Sequence, residues 1–283
     1  MLSSKFKDFY KDFDKQRTAA EKVVTPKIYK YYLSELTDIF NTLLTKGQIN
    51  PAIYFKARSI KEIYTDIYLY IGFNIGEWYI KNYFTNLKNT ANYQAQWEQT
   101  YIYFAAQAAA TYQPEIANAV TQRAMTIFAG LMEDADFSAL GFEAKAAVLL
   151  EKAKVTSLTY VNRIVATEAN RIANYAIQNS ATSFFDEGDL VKFWIAGGMN
   201  IRDTHIAAMQ RYGPQTEGIP FKDNFYVGND VMPRPTSGSV PKENINCKCV
   251  MATQAKPEAQ SIGADVNDFG FDMGMGYRPT GSY

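Results

Sequence analysis

Apolar residues recur at three- and four-residue spacing through most of residues 1–188, and this period predicts an array of helices. The clearest stripe extends from Ile60 to Trp78. Thr25-Pro26 and Gln113-Pro114 predict helix boundaries, because proline is favoured in the first turn of a helix and disfavoured farther in. The predicted helices cover residues 1–24, 26–46, 50–85, 91–112, 115–133, 142–152 and 156–186, with a loop at 134–141.

The period of the apolar residues changes after Gly188. In residues 190–196 the side-chain type changes at every second position, which is the period of a β-strand. Residues 225–227 and 249–251 are further candidate strands, and residues 201–212 fit a short helix. The segments around them are too rich in glycine and proline for long helices, so they predict short strands joined by turns.

These elements together predict an α+β fold. It comprises a mostly α-helical N-terminal array, a small loop-rich β unit packed on a long helix, and a flexible C-terminal tail. The predicted domains are a helical region at 1–150, a region at 151–252 that holds the long helix and the β unit, and the tail at 253–283. In the tail, apolar residues become scarce and glycines accumulate.

The balance of basic and acidic residues bears on whether the chain binds nucleic acid or lipid surfaces. The chain has 29 basic and 29 acidic residues, so no global field draws it to nucleic acid or to an anionic lipid surface. The apolar stretches are too short for a membrane span, and residues 1–30 lack the apolar centre of a signal peptide. We therefore expect a reducing cytosolic setting, in which the two cysteines do not form a disulfide framework.

The single histidine and both cysteines of the chain lie at the two ends of the loop-rich segment, as His205, Cys247 and Cys249. Imidazole and thiolate are ligands that zinc prefers, but a zinc site would need a fourth ligand from Asp203, another oxygen or water. The favoured interpretation needs no cofactor: Cys247 is a small buried residue and His205 forms hydrogen bonds across the fold. A thiol–imidazole nucleophile is a third interpretation, for which the sequence shows no orienting residue.

A polar cluster interrupts the apolar pattern of the last long predicted helix. If it is buried, its charges need partners, since lone buried charges are costly. We expect Glu168 to pair with Arg171, and Arg163 or Arg202 to pair with Asp203 or with a backbone carbonyl of the loop-rich unit. The interpretation is a structural polar network that fastens the β unit to the helix. Its members are Arg163, Thr167, Glu168, Arg171, Arg202 and Asp203.

At these positions the chain resembles the minor head proteins of tailed bacteriophages, the head-morphogenesis family typified by the phage Mu F-like domain. The similar features follow one another in the family's order over residues 156–251, about a third of the chain. They are Arg163, Thr167, Glu168 and Arg171 on a long helix, Phe193-Trp194 on a strand, Arg202-Asp203-Thr204-His205, and Asn246-Cys247-Lys248-Cys249. Lys248 stands where the family has arginine, and the upstream Cys-x-x-Cys of some relatives is absent.

The resemblance implies a virion protein without enzymatic activity, present in few copies near the portal vertex and assembled in the host cytoplasm. Its expected partners are the portal protein and the major capsid or scaffolding protein, with viral genomic DNA as an option without sequence specificity and no membrane. It would aid procapsid assembly, and DNA packaging, retention or ejection. The alternative is a phage-carried enzyme on the same domain, either a zinc-dependent hydrolase or an ADP-ribosyltransferase-like effector that uses Arg163 and Glu168.

Overall fold

The computed structural model describes residues 8–48, 57–84, 93–257 and 259, and it confirms the α+β class. The helices are α1 (Phe9–Lys46), α2 (Ala57–Tyr83), α3 (Tyr93–Met132), α4 (Ala135–Ala139), α5 (Phe142–Thr182), α6 (Asp203–Tyr212) and α7 (Pro241–Asn244). The strands are β1 (Leu190–Ile195), β2 (Ile219–Pro220), β3 (Phe225–Val227), β4 (Asp230–Met232) and β5 (Val250–Ala255).

The predicted helix breaks at the two prolines are wrong. Pro26 lies inside α1 and Pro114 inside α3, and both prolines are exposed. A proline inside a helix removes one backbone hydrogen bond, but the buried stripe on either side outweighs that loss. Val24 and Ile28, for example, are 4% and 6% exposed. Propensity at one residue is a weaker signal than an apolar face that continues across it.

Three further boundaries differ from the predictions. The separate helices expected at 142–152 and 156–186 form the single helix α5. The loop expected at 134–141 contains α4, whose Asp134 side chain accepts hydrogen bonds from the backbone N–H groups of Asp136 and Phe137 at its first turn. The tail was predicted to begin at residue 253, but β5 continues to Ala255. The remainder of the predicted tail, like the predicted helix start at 50–56, lies almost wholly outside the described residues.

Two small antiparallel sheets form the β unit. The first has the order β2-β1-β5, and β1 pairs with β5 along its whole length, from Leu190 opposite Ala255 to Ile195 opposite Val250. The second is the hairpin of β3 and β4, whose turn begins at Gly228 with a φ of 59°. The strand expected at 190–196 is confirmed. Both of its faces are covered, since Lys192 and Trp194 are buried as well as the apolar residues between them.

The described chain divides into two compact units. Unit 1 combines residues 1–21, 67–102 and 166–283, and unit 2 combines residues 22–66 and 103–165. Residue 150, the predicted domain boundary, lies within α5. The assignment of 151–252 to a head-morphogenesis domain stays a prediction. Among the described residues, no helix combines the length and apolar character that crossing a bilayer requires.

Aromatic rings fill much of the core of unit 1. Phe9 of α1 packs edge-on against Tyr83 and Tyr79 of α2, with ring centroids 4.9 and 6.0 Å apart. Gly72 and Gly76 permit α2 and α3 to approach closely. A Cβ atom at either glycine would lie 2.7 Å from a ring carbon of Tyr101 or Trp97 respectively, which is well inside van der Waals contact.

Candidate metal centre

Two separate segments of the β unit bring the histidine and the cysteines together. His205 lies in the first turn of α6, where its N–H bonds the carbonyl of Arg202. The cysteines follow α7, after a sharp turn at Asn246 with a φ of 56°. Asparagine tolerates this left-handed conformation better than most residues with a Cβ atom. The backbone conformation therefore explains why an asparagine precedes Cys247.

The three side chains form one buried cluster. His205 Nδ1 lies 3.2 Å from Cys249 Sγ and 3.7 Å from Cys247 Sγ. All the potential ligand atoms lie within 4.8 Å of one another. In a tetrahedral zinc site, ordinary bond lengths separate a nitrogen from a sulfur by about 3.5 Å. The two measured distances lie on either side of that value, so the donor set fits a zinc-sized cation.

Glu243, which the sequence analysis missed, orients the imidazole. Its Oε2 lies 3.1 Å from His205 Nε2, and the Thr204 hydroxyl donates to the same oxygen at 2.8 Å. Glu243 is 1% exposed and His205 is also 1% exposed. A carboxylate on the far nitrogen fixes the tautomer that leaves Nδ1 free to accept or to bind a metal. This arrangement is the usual outer support of a metal-binding histidine.

The two thiols divide one negative charge unequally. A hydrogen bond from the Cys249 thiol is the largest cause that lowers the pKa of Cys247. The same interaction with Cys247, together with burial, raises the pKa of Cys249. The Cys249 N–H also points to Cys247 Sγ at 3.4 Å. One sulfur is therefore favoured as a thiolate, the form that acts as a metal ligand or a nucleophile.

The cluster also supplies the orienting residue that a nucleophilic cysteine needs. Cys249, His205 and Glu243 follow the thiol, imidazole and carboxylate order of a catalytic triad. The exposed fractions of Cys247 and Cys249 are 2% and 1%, and the edge of the Trp194 ring packs against His205 with centroids 5.6 Å apart. Both sulfurs are therefore shielded from solvent within the part of the chain that the structure describes. The burial favours a closed structural centre over a catalytic one.

A polar stripe on α5 receives the β unit. Thr167 Oγ1 accepts from the Asn246 N–H at 3.2 Å, and Asn170 and Asn174 both donate to the Cys249 carbonyl, at 2.9 and 3.1 Å. Asn174 Oδ1 also accepts from the Met251 N–H at 2.7 Å. These positions are three and four residues apart, so they share one helix face. The stripe holds the cysteine-bearing segment in place through its backbone.

Of the two charged residues beside this stripe, Arg171 contacts the loop that follows β4. Arg171 Nε donates to the Thr236 carbonyl at 3.1 Å and its guanidinium pairs with Glu168. Glu168 also accepts from the Tyr68 hydroxyl at 2.9 Å. Farther along α5, the Arg234 guanidinium lies over the Tyr175 ring at 4.4 Å.

The structure places the predicted site residues in three groups. His205, Cys247 and Cys249 form the cluster, while Thr167, Glu168 and Arg171 form part of the polar stripe. Arg202 forms the third group alone and donates to the Ile245 carbonyl, one of the two kinds of partner expected for it. Arg163 and Asp203 are exposed, and Asp203 does not belong to the group of metal-ligand atoms found among the described residues.

Several residues of the site were missed from sequence. Asn174 and Gln178 continue the spacing of Asn170 along α5, a signal that the sequence carries. Gln178 accepts from Arg234 at 2.9 Å. Glu243 had no such signal, because it lies 38 residues from His205 in a segment whose turns cannot be derived from residue patterns.

Comparison of the chain with protein-family models, with curated proteins and with solved structures finds no match. The argument about function therefore rests on the chain's own residues and contacts.

Proposed function

We propose that this chain is a minor structural protein of a phage head, which binds the portal and the major capsid or scaffolding protein during procapsid assembly. In this account the cluster of His205, Cys247 and Cys249 holds a zinc ion. When bound, zinc would supply a cross-link between α6 and the start of β5. Roles in DNA packaging, retention or ejection belong to the same proposal.

One observation carries the proposal. The features that resemble the head-morphogenesis family are distant in sequence, yet most of them meet in one place. Thr167 contacts Asn246, Trp194 packs on His205, and His205 contacts both cysteines. A set of residues that forms one buried constellation is better explained by a shared fold than by chance similarity of short motifs.

The type of constellation supports a structural role. Its charged and polar side chains are occupied in holding the β unit to α5, and the cluster is closed to substrate. Large apolar side chains are instead exposed at the surface. Met199, in the loop after β1, is 93% exposed, and Tyr226 on the hairpin is 58% exposed. Exposed apolar residues of this kind suit contact with other proteins.

The enzyme alternative finds less support. An ADP-ribosyltransferase-like reaction would need Arg163 and Glu168 together at a substrate. Five residues apart on one helix, they project about 140° from each other. Arg163 is exposed, whereas Glu168 is buried and bonded to Tyr68 and Arg171. A zinc-dependent hydrolase would need an open coordination position that a substrate can reach, and the cluster is buried.

Co-expression with the portal protein of the phage that carries this gene tests the proposal. We expect the full-length chain to co-purify with the portal oligomer and to sediment with it. A Met199→Ser variant reports whether the exposed loop contributes, and a Met251→Leu variant, altered at a buried position, is the matched control. Failure of the wild-type chain to associate with portal, capsid or scaffolding protein would contradict the proposal. Turnover of nucleotide or peptide substrates that a folded Glu168→Gln variant has lost would support the enzyme instead.

A further inference from the structure

The four-residue helix α7 carries Glu243, the carboxylate that orients His205. Its own backbone bonds are few: the Glu243 N–H donates to the Val240 carbonyl at 3.0 Å, and the Ile245 N–H donates to the Pro241 carbonyl at 2.9 Å. A helix of one turn is not stable by itself in water, so contacts with the rest of the β unit must hold it. The position of the Glu243 carboxylate therefore depends on the contacts that fix α7.

The carboxylate of Asp230, the first residue of β4, bonds to both ends of α7. Its Oδ2 accepts from the Val240 N–H, just before α7, at 3.0 Å and from the side-chain amide of Asn244, the last residue of α7, at 3.3 Å. Its Oδ1 accepts from the N–H groups of Ser239 and Val231, at 3.1 and 3.0 Å. Asp230 is only 3% exposed. Hydrogen bonds to an ionised acceptor are roughly twice as strong as those between neutral groups, so this one carboxylate holds α7 firmly.

The turn that leads into β4 also packs on Glu243 itself. A Cβ atom at Gly228, in this turn, would lie 3.0 Å from Glu243 Oε1 and 3.1 Å from Cγ2 of Thr204, the residue whose hydroxyl donates to Glu243. On the other side of Asp230, a Cβ atom at Gly238 would lie 2.0 Å from Asp230 Oδ2. Glycine at both positions permits the hairpin and the segment that holds α7 to pack this closely.

We propose that Asp230 is a positioning residue of the metal centre, which sets the Glu243 carboxylate against His205 Nε2 by holding α7. The inference rests on the proposed zinc site. A carboxylate on the far nitrogen of a metal-binding histidine raises its affinity for the metal, and the affinity falls when that support is lost. The strength of metal binding would thus depend on the β3–β4 hairpin, although the hairpin carries none of the three ligands.

Titration of the full-length chain with cobalt(II), after treatment with a chelator, tests the inference. Cobalt reports thiolate ligands by charge-transfer absorption and the geometry of its ligands by visible bands. Asp230→Asn keeps the size of the side chain but removes the charge that attracts the donors. We expect it to weaken cobalt binding by about three- to tenfold and to alter the visible bands in the same direction as Glu243→Gln. Asp223→Asn, which removes the same charge from an exposed carboxylate of the β unit, should bind cobalt as the wild type does.

A double substitution separates positioning from a loss of stability alone, with every titration made on protein that circular dichroism shows to be folded. Because Asp230 acts through Glu243, Asp230→Asn should weaken cobalt binding by a smaller factor in the Glu243→Gln background than in the wild type. Gly238→Ala displaces the Asp230 carboxylate from the opposite side and should reproduce the effect of Asp230→Asn, which keeps the test available if that variant does not fold.

Two results would overturn the role of Asp230 and leave the metal centre standing. One is an unchanged affinity with unchanged visible bands in the folded Asp230→Asn variant. The other is an equal loss of affinity from this substitution in both backgrounds. Absence of thiolate absorption in the folded wild type would overturn the metal centre itself.

Discussion

Lys192, in the middle of β1, is a buried cation whose close contacts among the described residues are with neutral groups. Its Nζ donates to the Pro233 carbonyl at 2.7 Å and lies 5.0 Å from the centre of the Phe225 ring. Burial lowers the pKa of Lys192 to about 8, and the positive charge of Arg234 adds to the effect. The carbonyl and the ring face compensate for only part of the lost hydration.

This pKa has a consequence for stability. The unfolded chain holds the Lys192 proton up to a pH of about 10.5, whereas the folded chain releases it near pH 8. The cost of burying the charge is therefore present in full below pH 8. It falls as the pH rises, because the unfolded state then binds more protons than the folded state. The full effect is on the order of 3 kcal/mol.

We predict that the free energy of unfolding of the wild type increases between pH 8 and 9.5 relative to that of a Lys192→Met variant. Chemical denaturation at a series of pH values measures the difference. Lys222→Met is the matched control, since Lys222 is largely exposed and should leave the profile unchanged. The negative charges of Asp223 and Glu187 act on Lys192 in the opposite direction, and they are the same in all three proteins. If the free energy of unfolding changed with pH in parallel for the wild type and Lys192→Met, the lowered pKa of Lys192 would be contradicted.

At the scale of elements, the contact between α5 and β5 organises the β unit. Two asparagines, Asn170 and Asn174, converge on the carbonyl of Cys249, and Asn174 also accepts from the Met251 N–H. An asparagine side chain carries both an NH₂ donor and a carbonyl acceptor, so it can satisfy a backbone donor and a backbone acceptor at once. The side chains of α5 therefore form hydrogen bonds with the backbone at the start of β5, as a neighbouring strand would.

We predict that Asn174→Ala destabilises the protein by about 1–3 kcal/mol, because it leaves the buried Met251 N–H without a partner. Asn82→Ala is the control: Asn82 is exposed, and its side chain donates within its own helix to the Trp78 carbonyl. It should change stability by less than about 0.5 kcal/mol. Urea denaturation of both variants gives the comparison. Equal stabilities for the two would show that the asparagine contact does not hold the β unit.

The elements also show where sequence reasoning succeeds. Helix and strand types follow from the apolar period, which is why α2 and β1 were predicted at nearly the correct positions. Ends set by a local conformation are also readable, as at Gly47, with a φ of 68°. Pro26 and Pro114 led to wrong predictions of helix ends. A proline is a local signal, whereas the buried stripe around it is a property of the whole helix.

For the whole molecule, the residue types of the site were predictable and their arrangement was not. His205, Cys247 and Cys249 stand out in the sequence because they are the only residues of their kinds. The support of His205 by Glu243 depends on a contact between segments 38 residues apart, for which the sequence holds no periodic signal.

If the proposed function holds, the gene belongs to a phage, and quantitative mass spectrometry of that phage's purified virions tests the functional account most directly. A minor head protein bound at the portal should be present in a number of copies close to that of the portal protein itself. The account predicts this ratio in mature particles and in procapsids. Absence of the chain from both particles, while it is abundant in infected cells, would contradict a structural role in the head.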